Sequence, residues 1–89
     1  MIYITHVHMG TAGTGHEHIA DVRWKNPNTG TTGASSTATM VDFIDNKEGD
    51  ARVQGPPDAR VGTVTATPKH LRTYADKKWT NNLLDLPRY

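Results

Sequence analysis

The feature that most constrains the fold is a single amphipathic helix pattern in a chain whose other regular segments read as β-strands. Met40, Phe43 and Ile44 recur at helical spacing, and hydroxyl side chains at 35–37 supply an N-cap. The pattern predicts a helix over 37–46 with those three residues in the core. A helix of about three turns is marginal alone, so it must pack on a sheet.

Several short segments rich in β-branched and aromatic residues predict the strands of that sheet. They cover 2–9, 16–25, 31–34, 51–54, 60–67, 71–74 and 78–80. Val61 and Val64 do not alternate strictly, which predicts a bulge near Gly62. A final tight hairpin is predicted with its turn at 75–77. The expected fold class is α+β, one domain over 1–89: a small, mainly antiparallel β-sheet with one principal α-helix packed on one face.

Composition narrows the function classes. The 89 residues include no cysteine, and ten Lys and Arg against nine Asp and Glu give a net charge of +1. A disulfide framework and a cysteine zinc site are excluded, and no global charge favours nucleic acid or a membrane surface. No apolar run approaches the ~20 residues of a membrane span. Residues 1–5 lack the features of a signal peptide, so a cytoplasmic location in a bacterial or phage-infected cell is expected.

Two His-x-His doublets, His6 with His8 and His16 with His18, flank a glycine-rich connector at 10–15. Residues i and i+2 of a strand share a face. If both doublets lie on paired strands, a register with His8 opposite His16 or His18 collects all four imidazoles while keeping Ile4 on an apolar face.

That arrangement gives one alternative function, a metal-binding domain with ligands His6, His8, His16 and His18. The competing interpretation is structural, with the histidines at the rim of the core. No cofactor is expected, and zinc or nickel binding would be opportunistic. No nucleophile, phosphate loop or paired-carboxylate motif accompanies the histidines, so the chain is not expected to be an enzyme.

A second alternative comes from a basic and aromatic cluster near the C-terminal end. Its members are Lys69, Arg72, Tyr74, Lys77, Lys78 and Trp79. Cations interleaved with aromatic rings hold single-stranded nucleic acid by phosphate contact and base stacking. Against this, Tyr74 and Trp79 on facing strands are more often a cross-strand core pair, and an acidic run over 42–50 compensates the charge.

The segment 83–89 carries three leucines and a terminal tyrosine. If the segment did not pack on the rest of the domain, these side chains would form a contiguous exposed apolar patch. It is therefore predicted to pack on the domain body.

Several stretches together resemble one known family. They are 16–19, 22–24, the Asn-Thr-Gly-x-x-Gly turn at 28–33, 40–44, 71–76, and 79–84 with 86–87. The chain is similar to a family of small bacterial and phage proteins catalogued as domain of unknown function 3892. The family's last hairpin turn has glycine where this chain has Lys77 or Lys78. The resemblance implies a fold and no mechanism.

The preferred function is a non-enzymatic binding or accessory module of phage or bacterial origin that acts through protein contacts. A small domain with an apolar end exposes apolar surface that another chain can bury, so a protein partner or self-association is expected. Nucleic-acid binding through 69–79 and metal binding through the histidines are the alternatives.

Overall fold

A single seven-stranded sheet and one principal helix make up most of the chain, in a computed structural model that describes residues 1–10, 15–55, 57–66, 69–75 and 78–89. The strands are β1 (Ile2–Met9), β2 (Ile19–Lys25), β3 (Thr32–Ser36), β4 (Ala51–Val53), β5 (Ala59–Val64), β6 (His70–Ala75) and β7 (Lys78–Thr80). The helix is α1 (Thr37–Asn46), and a one-turn 3-10 helix spans His16–His18. The predicted class, a mainly antiparallel sheet with one principal helix, is confirmed.

The strands follow the order β3-β2-β1-β4-β5-β6-β7, and only the β1–β4 pair is parallel among the described strand pairs. The chain reaches β4 from β3 by way of α1, which is the crossover that a parallel neighbour requires. β4 pairs with β1 only at Ile2 and Tyr3. Farther along β1, Val7 donates its N–H to Pro87 O (3.0 Å) and accepts from Tyr89 N (3.2 Å). The predicted packing of 83–89 on the domain body is therefore confirmed.

Local hydrogen bonds define both ends of the helix. Ser36 Oγ accepts the N–H of Thr39 at 3.2 Å, so the predicted hydroxyl cap and the predicted range are both confirmed. At the other end Glu48 has a φ of 53°, and Gly49 N–H donates to Phe43 O. The helix contacts β2 and β3 on one flank and β5 and β6 on the other. The sheet therefore curls around it.

The two faces of the curled sheet differ in character. The inner face packs on α1, and Leu83 from the C-terminal segment joins the same core. The buried apolar residues of this core are Ile4, Val7, Ile19, Val22, Met40, Ala51, Val53, Val61, Leu71 and Leu83. Phe43 and Ile44 pack against this core partly buried. The predicted helix stripe is thus in the core fully at Met40 and partly at the other two.

Two β-bulges set the β1–β2 register. The pairing passes from Ile4↔Trp24 to His6↔Arg23, and from His8↔Asp21 to Met9↔Ile19, so Thr5 and Ala20 are the extra residues. Each bulge adds one residue to its strand, so an apolar residue that lies three positions after another one points to the inner face again. The predicted registers, with His8 opposite His16 or His18, are wrong.

Other predicted boundaries changed less. The β5–β6 pairing is regular from Arg60↔Tyr74 to Val64↔His70, so the predicted bulge at Gly62 is wrong. Val61 and Val64 instead point to opposite faces. The final hairpin of β6 and β7 is confirmed. Residues 11–14 of the predicted connector, 67–68 at the predicted end of β5, and 76–77 of the predicted last turn lie outside the described residues.

Candidate functional site

The outer face of the sheet carries a row of one residue from each of six neighbouring strands. Successive cross-strand pairs join Lys25 to Tyr3, Tyr3 to Arg52, Arg52 to Arg60, Arg60 to Tyr74, and Tyr74 to Trp79. We call these six residues the outer-face row. In β1, β4, β5 and β6 the row residue lies on the face opposite a buried neighbour, because side chains alternate along a strand. Lys25 and Trp79 join that face through their cross-strand pairs. The row therefore interleaves cations with aromatic rings.

The aromatic end of the row is the most exposed apolar surface on the sheet. Tyr74 and Trp79 are each 43% exposed, and their ring centroids lie 5.2 Å apart with an interplanar angle of 71°. The prediction that they face each other across two strands is confirmed, but the prediction that they form a core pair is wrong. β7 is a three-residue edge strand, and the helix covers the opposite face of the sheet.

A shallow groove of about 410 Å³ adjoins this pair. It is lined by residues of β5, by Tyr74 and Trp79, and by Ile44 of α1; the β5 residues are Arg60, Val61, Gly62 and Thr63. Apolar surface therefore lies beside a single cation. Trp, Tyr and Arg are the residue types that most often carry the binding energy of protein interfaces.

Carboxylates accompany the cations along the row. Arg52 donates two hydrogen bonds to Asp50 (2.9 and 3.0 Å), which holds the pKa of Asp50 below its ordinary value, and Arg60 lies 4.0 Å from the same carboxylate. The Tyr3 hydroxyl donates to Asp58 at 2.6 Å, which lowers the pKa of Asp58 and raises that of Tyr3. The middle of the row is thus close to electrically neutral.

The residues predicted to bind nucleic acid do not share one surface. Lys69 pairs with Asp45 of α1 at 2.7 Å, and Lys78 follows the alternation of β7 to the face opposite Trp79. Arg72 shares the face of Tyr74, and its guanidinium donates to Thr80 O and Asn81 Oδ1. Lys77 lies outside the described residues. The structure brings together only part of the predicted cluster.

Arg52 and Arg60 are row residues that sequence reasoning did not select. They lie in β4 and β5, far from the cluster at 69–79 in sequence, and become neighbours of Tyr74 only through strand pairing. The available signal was the alternation of each arginine with buried Ala51, Val53, Ala59 or Val61. That alternation predicts an outward cation but not the strand beside it.

His6 and His8 share one face of β1, as their spacing in a strand predicted, but the bulge at Thr5 turns that face outward, so the predicted sharing of a face with Ile4 is wrong. Both rings contact the Tyr89 ring, with centroids 6.4 and 5.5 Å away, and Arg23 stacks on that ring at 4.2 Å. The His8 Nδ1 donates to the main-chain oxygen of Tyr89, since a carbonyl can only accept. The His6 Nδ1 is 2.9 Å from Thr5 Oγ1. These contacts tie the C-terminal segment to β1.

The second doublet is not in a strand, so the predicted gathering of four imidazoles on paired strands is wrong. His16 and His18 belong to the 3-10 helix that precedes β2. His16 is only 7% exposed, and burial, followed by the nearby Arg72 and His70, lowers its pKa from 6.5. His18 is partly exposed and lies 3.4 Å from Glu17. The short helix thus takes one imidazole into the interior next to β6.

Among the residues that the structure describes, no three His, Asp or Glu side chains are grouped so that they could hold a metal ion. Zinc or nickel binding by the doublets remains a prediction. Within the same ranges, no helix has both the length and the apolar character needed to cross a membrane.

Comparison with known proteins identifies one similarity. A family model with the description "Protein of unknown function (DUF3892)" matches residues 3–87. The searches of curated proteins and of solved structures gave no match.

Proposed function

The chain belongs to the DUF3892 family of proteins of unknown function, and we propose that it is a non-enzymatic module that binds another protein. The contact surface is the aromatic end of the outer-face row, Tyr74 and Trp79 with Arg60. The observation that carries the proposal is the 43% exposure of both rings, side by side above a groove. Large rings that pack on each other keep few side-chain rotamers to lose when a partner covers them.

Charge along the row favours a protein over a polyanion. Asp50 and Asp58 lie beside the row cations and would repel phosphates. Mixed charge around an aromatic centre is the composition of a protein interface, with a polar rim around a few anchors. Trp79→Ala should therefore remove about 2 kcal/mol or more of binding free energy, as at interface hot spots.

Site-specific photo-crosslinking tests the proposal. A benzophenone amino acid would replace Tyr74 in one variant and the exposed Ala38 of α1 in a control, each expressed in the native host. We expect a discrete protein adduct from position 74, absent from position 38, that excess wild-type chain suppresses and excess Trp79→Ala chain does not. Equal labelling from both positions, or none, would contradict the proposal.

Single-stranded nucleic acid is the second candidate because the row combines cations with aromatic rings. Across the sheet the order is Lys25, Tyr3, Arg52, Arg60, Tyr74 and Trp79. Fluorescence anisotropy with a labelled twelve-nucleotide poly-dT or poly-U strand tests it directly. We expect no tight complex near physiological salt. A complex that weakens steeply with salt and is lost on Arg60→Glu, but not on Lys47→Glu just after α1, would reverse the order of the two candidates.

The proposed setting is the cytoplasm of a bacterial or phage-infected cell. Fractionation of cells that express a tagged chain at native level would contradict it if the chain sedimented with the envelope.

A further inference from the structure

The free edge of the sheet at β3 lacks the devices that usually protect an edge strand. β3 is the last strand in the sheet order, and among the described strands it pairs with β2 alone. Its residues, Thr32 to Ser36, include no charge and no proline, and its pairing with β2 has no bulge. Natural edges are generally blunted by lysine, proline or a bulge, because an open edge templates another strand.

The register identifies which backbone groups of β3 point outward. Asn26 N–H donates to Thr31 O at 2.7 Å and Asn26 O accepts from Gly30 N–H at 2.8 Å, so Asn26 makes the hydrogen bonds at this end of the ladder and Lys25↔Thr32 is the next, non-hydrogen-bonded pair. Hydrogen-bonded and non-hydrogen-bonded pairs alternate in an antiparallel ladder. The N–H and C=O groups of Thr32 and Ala34 therefore point away from β2, toward the open side.

An apolar groove of about 200 Å³ lies between this edge and the helix. Its lining combines strand and helix residues: Ile2, Trp24 and Ser35 from the sheet, Thr39, Met40 and Phe43 from α1, and Lys47 just after the helix. Gly33 lets the indole reach under β3, because a Cβ there would lie 2.5 Å from Trp24 Cζ2. The indole is fixed by its N–H, which donates to Ser35 Oγ at 3.1 Å.

We propose that β3 accepts an extended segment of a partner protein as an eighth strand, with one large apolar side chain of that segment in the groove. Backbone bonds from Thr32 and Ala34 would align the segment, and the groove would select the side chain, as in other cases of strand addition. The groove is smaller than a typical small-molecule pocket, which suits a single side chain. This site is separate from the outer-face row and adds a second contact to the proposed function.

A second copy of the chain fits this edge less well than a partner segment. Antiparallel pairing of two β3 strands keeps the inner faces on the same side of the joined sheet. The incoming copy would then present its own Gly33 and Ser35 toward the groove. Neither side chain is large enough to fill it.

The test uses a phage-displayed library of random twelve-residue peptides, selected on the immobilised wild-type chain. We expect binders with an apolar residue at one fixed position. Thr39→Leu should fill the groove and weaken a selected synthetic peptide at least tenfold. Ala38→Leu, on the neighbouring exposed position of the helix, should leave its affinity unchanged.

Amide hydrogen exchange gives a second readout on the unaltered protein. The selected peptide should slow exchange at Thr32 and Ala34, whose N–H groups point outward, and leave Gly33 and Ser35 at their free-protein rates. Ala34→Pro removes one outward donor and should weaken the peptide further, with circular dichroism confirming that the variant folds. If Ala34→Pro does not fold, the exchange pattern and Thr39→Leu still decide.

The outcomes separate this inference from the proposed function. If the selected peptides no longer bind the Trp79→Ala variant but bind Thr39→Leu with unchanged affinity, strand addition at β3 is overturned and the outer-face surface is supported. Protection of Thr32 and Ala34 that rises with protein concentration alone would identify a second copy as the occupant, which overturns the inference. Failure to select any peptide that protects the two amides would also overturn it.

Discussion

The indole of Trp79 lies over Gly62, two strands away across the sheet. A Cβ on Gly62 would be 3.4 Å from Trp79 Cη2 and Cζ3, which is ordinary van der Waals contact. β6 lies between the two strands, so the ring crosses above it and packs near Tyr74. A side chain larger than that of alanine at position 62 would therefore meet the indole of Trp79.

Substitution at Gly62 should expose this relationship. In a Trp24→Phe background Trp79 is the only tryptophan, so its fluorescence reports on the ring alone. Gly62→Ala adds one methyl at contact distance and should leave the emission maximum unchanged. Gly62→Val adds branched atoms that must displace the ring, so the emission should shift to the red and acrylamide quenching should increase. Identical spectra for the two variants would contradict the packing described.

Leu83 should be the residue of the C-terminal segment that matters most for stability. Its side chain is 0% exposed, and its N–H donates to Thr73 Oγ1. Leu83→Ala should cost about 2–5 kcal/mol of unfolding free energy, the range for a buried leucine. Leu84→Ala, a matched control at a partly buried position, should cost less. Urea denaturation measures both, and equal costs would place the segment less firmly in the core.

Stability should fall in mild acid because of His16. Its pKa is lowered from 6.5 by burial, and its Nε2 has no hydrogen-bond partner among the described residues. Above about pH 6.5 the ring is neutral in both the folded and unfolded states. Below that value the unfolded chain takes up a proton that the folded chain resists, so stability falls as pH drops toward the lowered folded value.

The measurement is the difference in melting temperature between about pH 7.5 and about pH 5.5, a window on either side of the reference imidazole pKa. His16→Gln should reduce this difference, and His18→Gln, on the same short helix, should leave it nearly unchanged. If His16→Gln shows the same difference in melting temperature between the two pH values as the wild type, the effect belongs to another group.

The Tyr3–Asp58 hydrogen bond should stabilise the fold only while Asp58 is ionised. The carboxylate accepts from Tyr3 (2.6 Å) and from Gly55 N–H (2.9 Å), and these bonds lower its pKa from 3.8. The contribution is therefore present above the unfolded value and is lost as pH falls through the folded value. Tyr3→Phe and Asp58→Asn should each lower the melting temperature near neutral pH.

The double variant Tyr3→Phe with Asp58→Asn tests whether the two residues act as a pair. We expect it to melt higher than the sum of the two single effects predicts, because each single change already breaks the shared bond. Strict additivity would show that the two side chains act independently.

Added zinc should bind the isolated protein weakly. His6 and His8 are on the outer face, whereas His16 is buried beside β6. We expect calorimetry to give far less than the roughly 10–16 kcal/mol of a structural zinc site, and no rise in melting temperature. A tight one-to-one complex that is lost on His8→Ala would reverse this expectation.

Local signals were sufficient to predict α1 to the residue. The hydroxyl cap at Ser36 and the spacing of Met40, Phe43 and Ile44 lie within the helix itself, so no distant contact was needed. The same holds for the facing strands of the last hairpin. Elements whose start, stop and period are all local can be predicted from one sequence.

Strand register could not be predicted because the same spacing has two outcomes. Ile4 and Val7 are three apart and both buried, since a bulge at Thr5 turns the second one inward. Val61 and Val64 are also three apart, yet their strand is regular and Val64 is left half-buried on the opposite face. What separates the cases is the partner strand, which the local pattern does not contain.

The outer-face row could not be predicted from the sequence for the same reason. Its neighbours Arg52, Arg60 and Tyr74 come from three separate strands, β4, β5 and β6, and β4 lies beside β1 through a parallel pairing. Sequence reasoning identified the aromatic pair but assigned it to the core, because it could not show that the helix covers only one face.

The pairing of Val7 with Arg88 has a consequence for how the protein is made on the ribosome. β1 is synthesised well before residues 87–89, so one stretch of its backbone acquires its partner only when those residues have left the exit tunnel. Until then the core site of Leu83 is empty, and the amide of Val7 is open to solvent or to another nascent chain. Contacts so distant in sequence form slowly. We expect the pairing of β1 with 87–89 to be a late folding step, so that nascent chains still lacking those residues are the ones most exposed to chaperones and to aggregation.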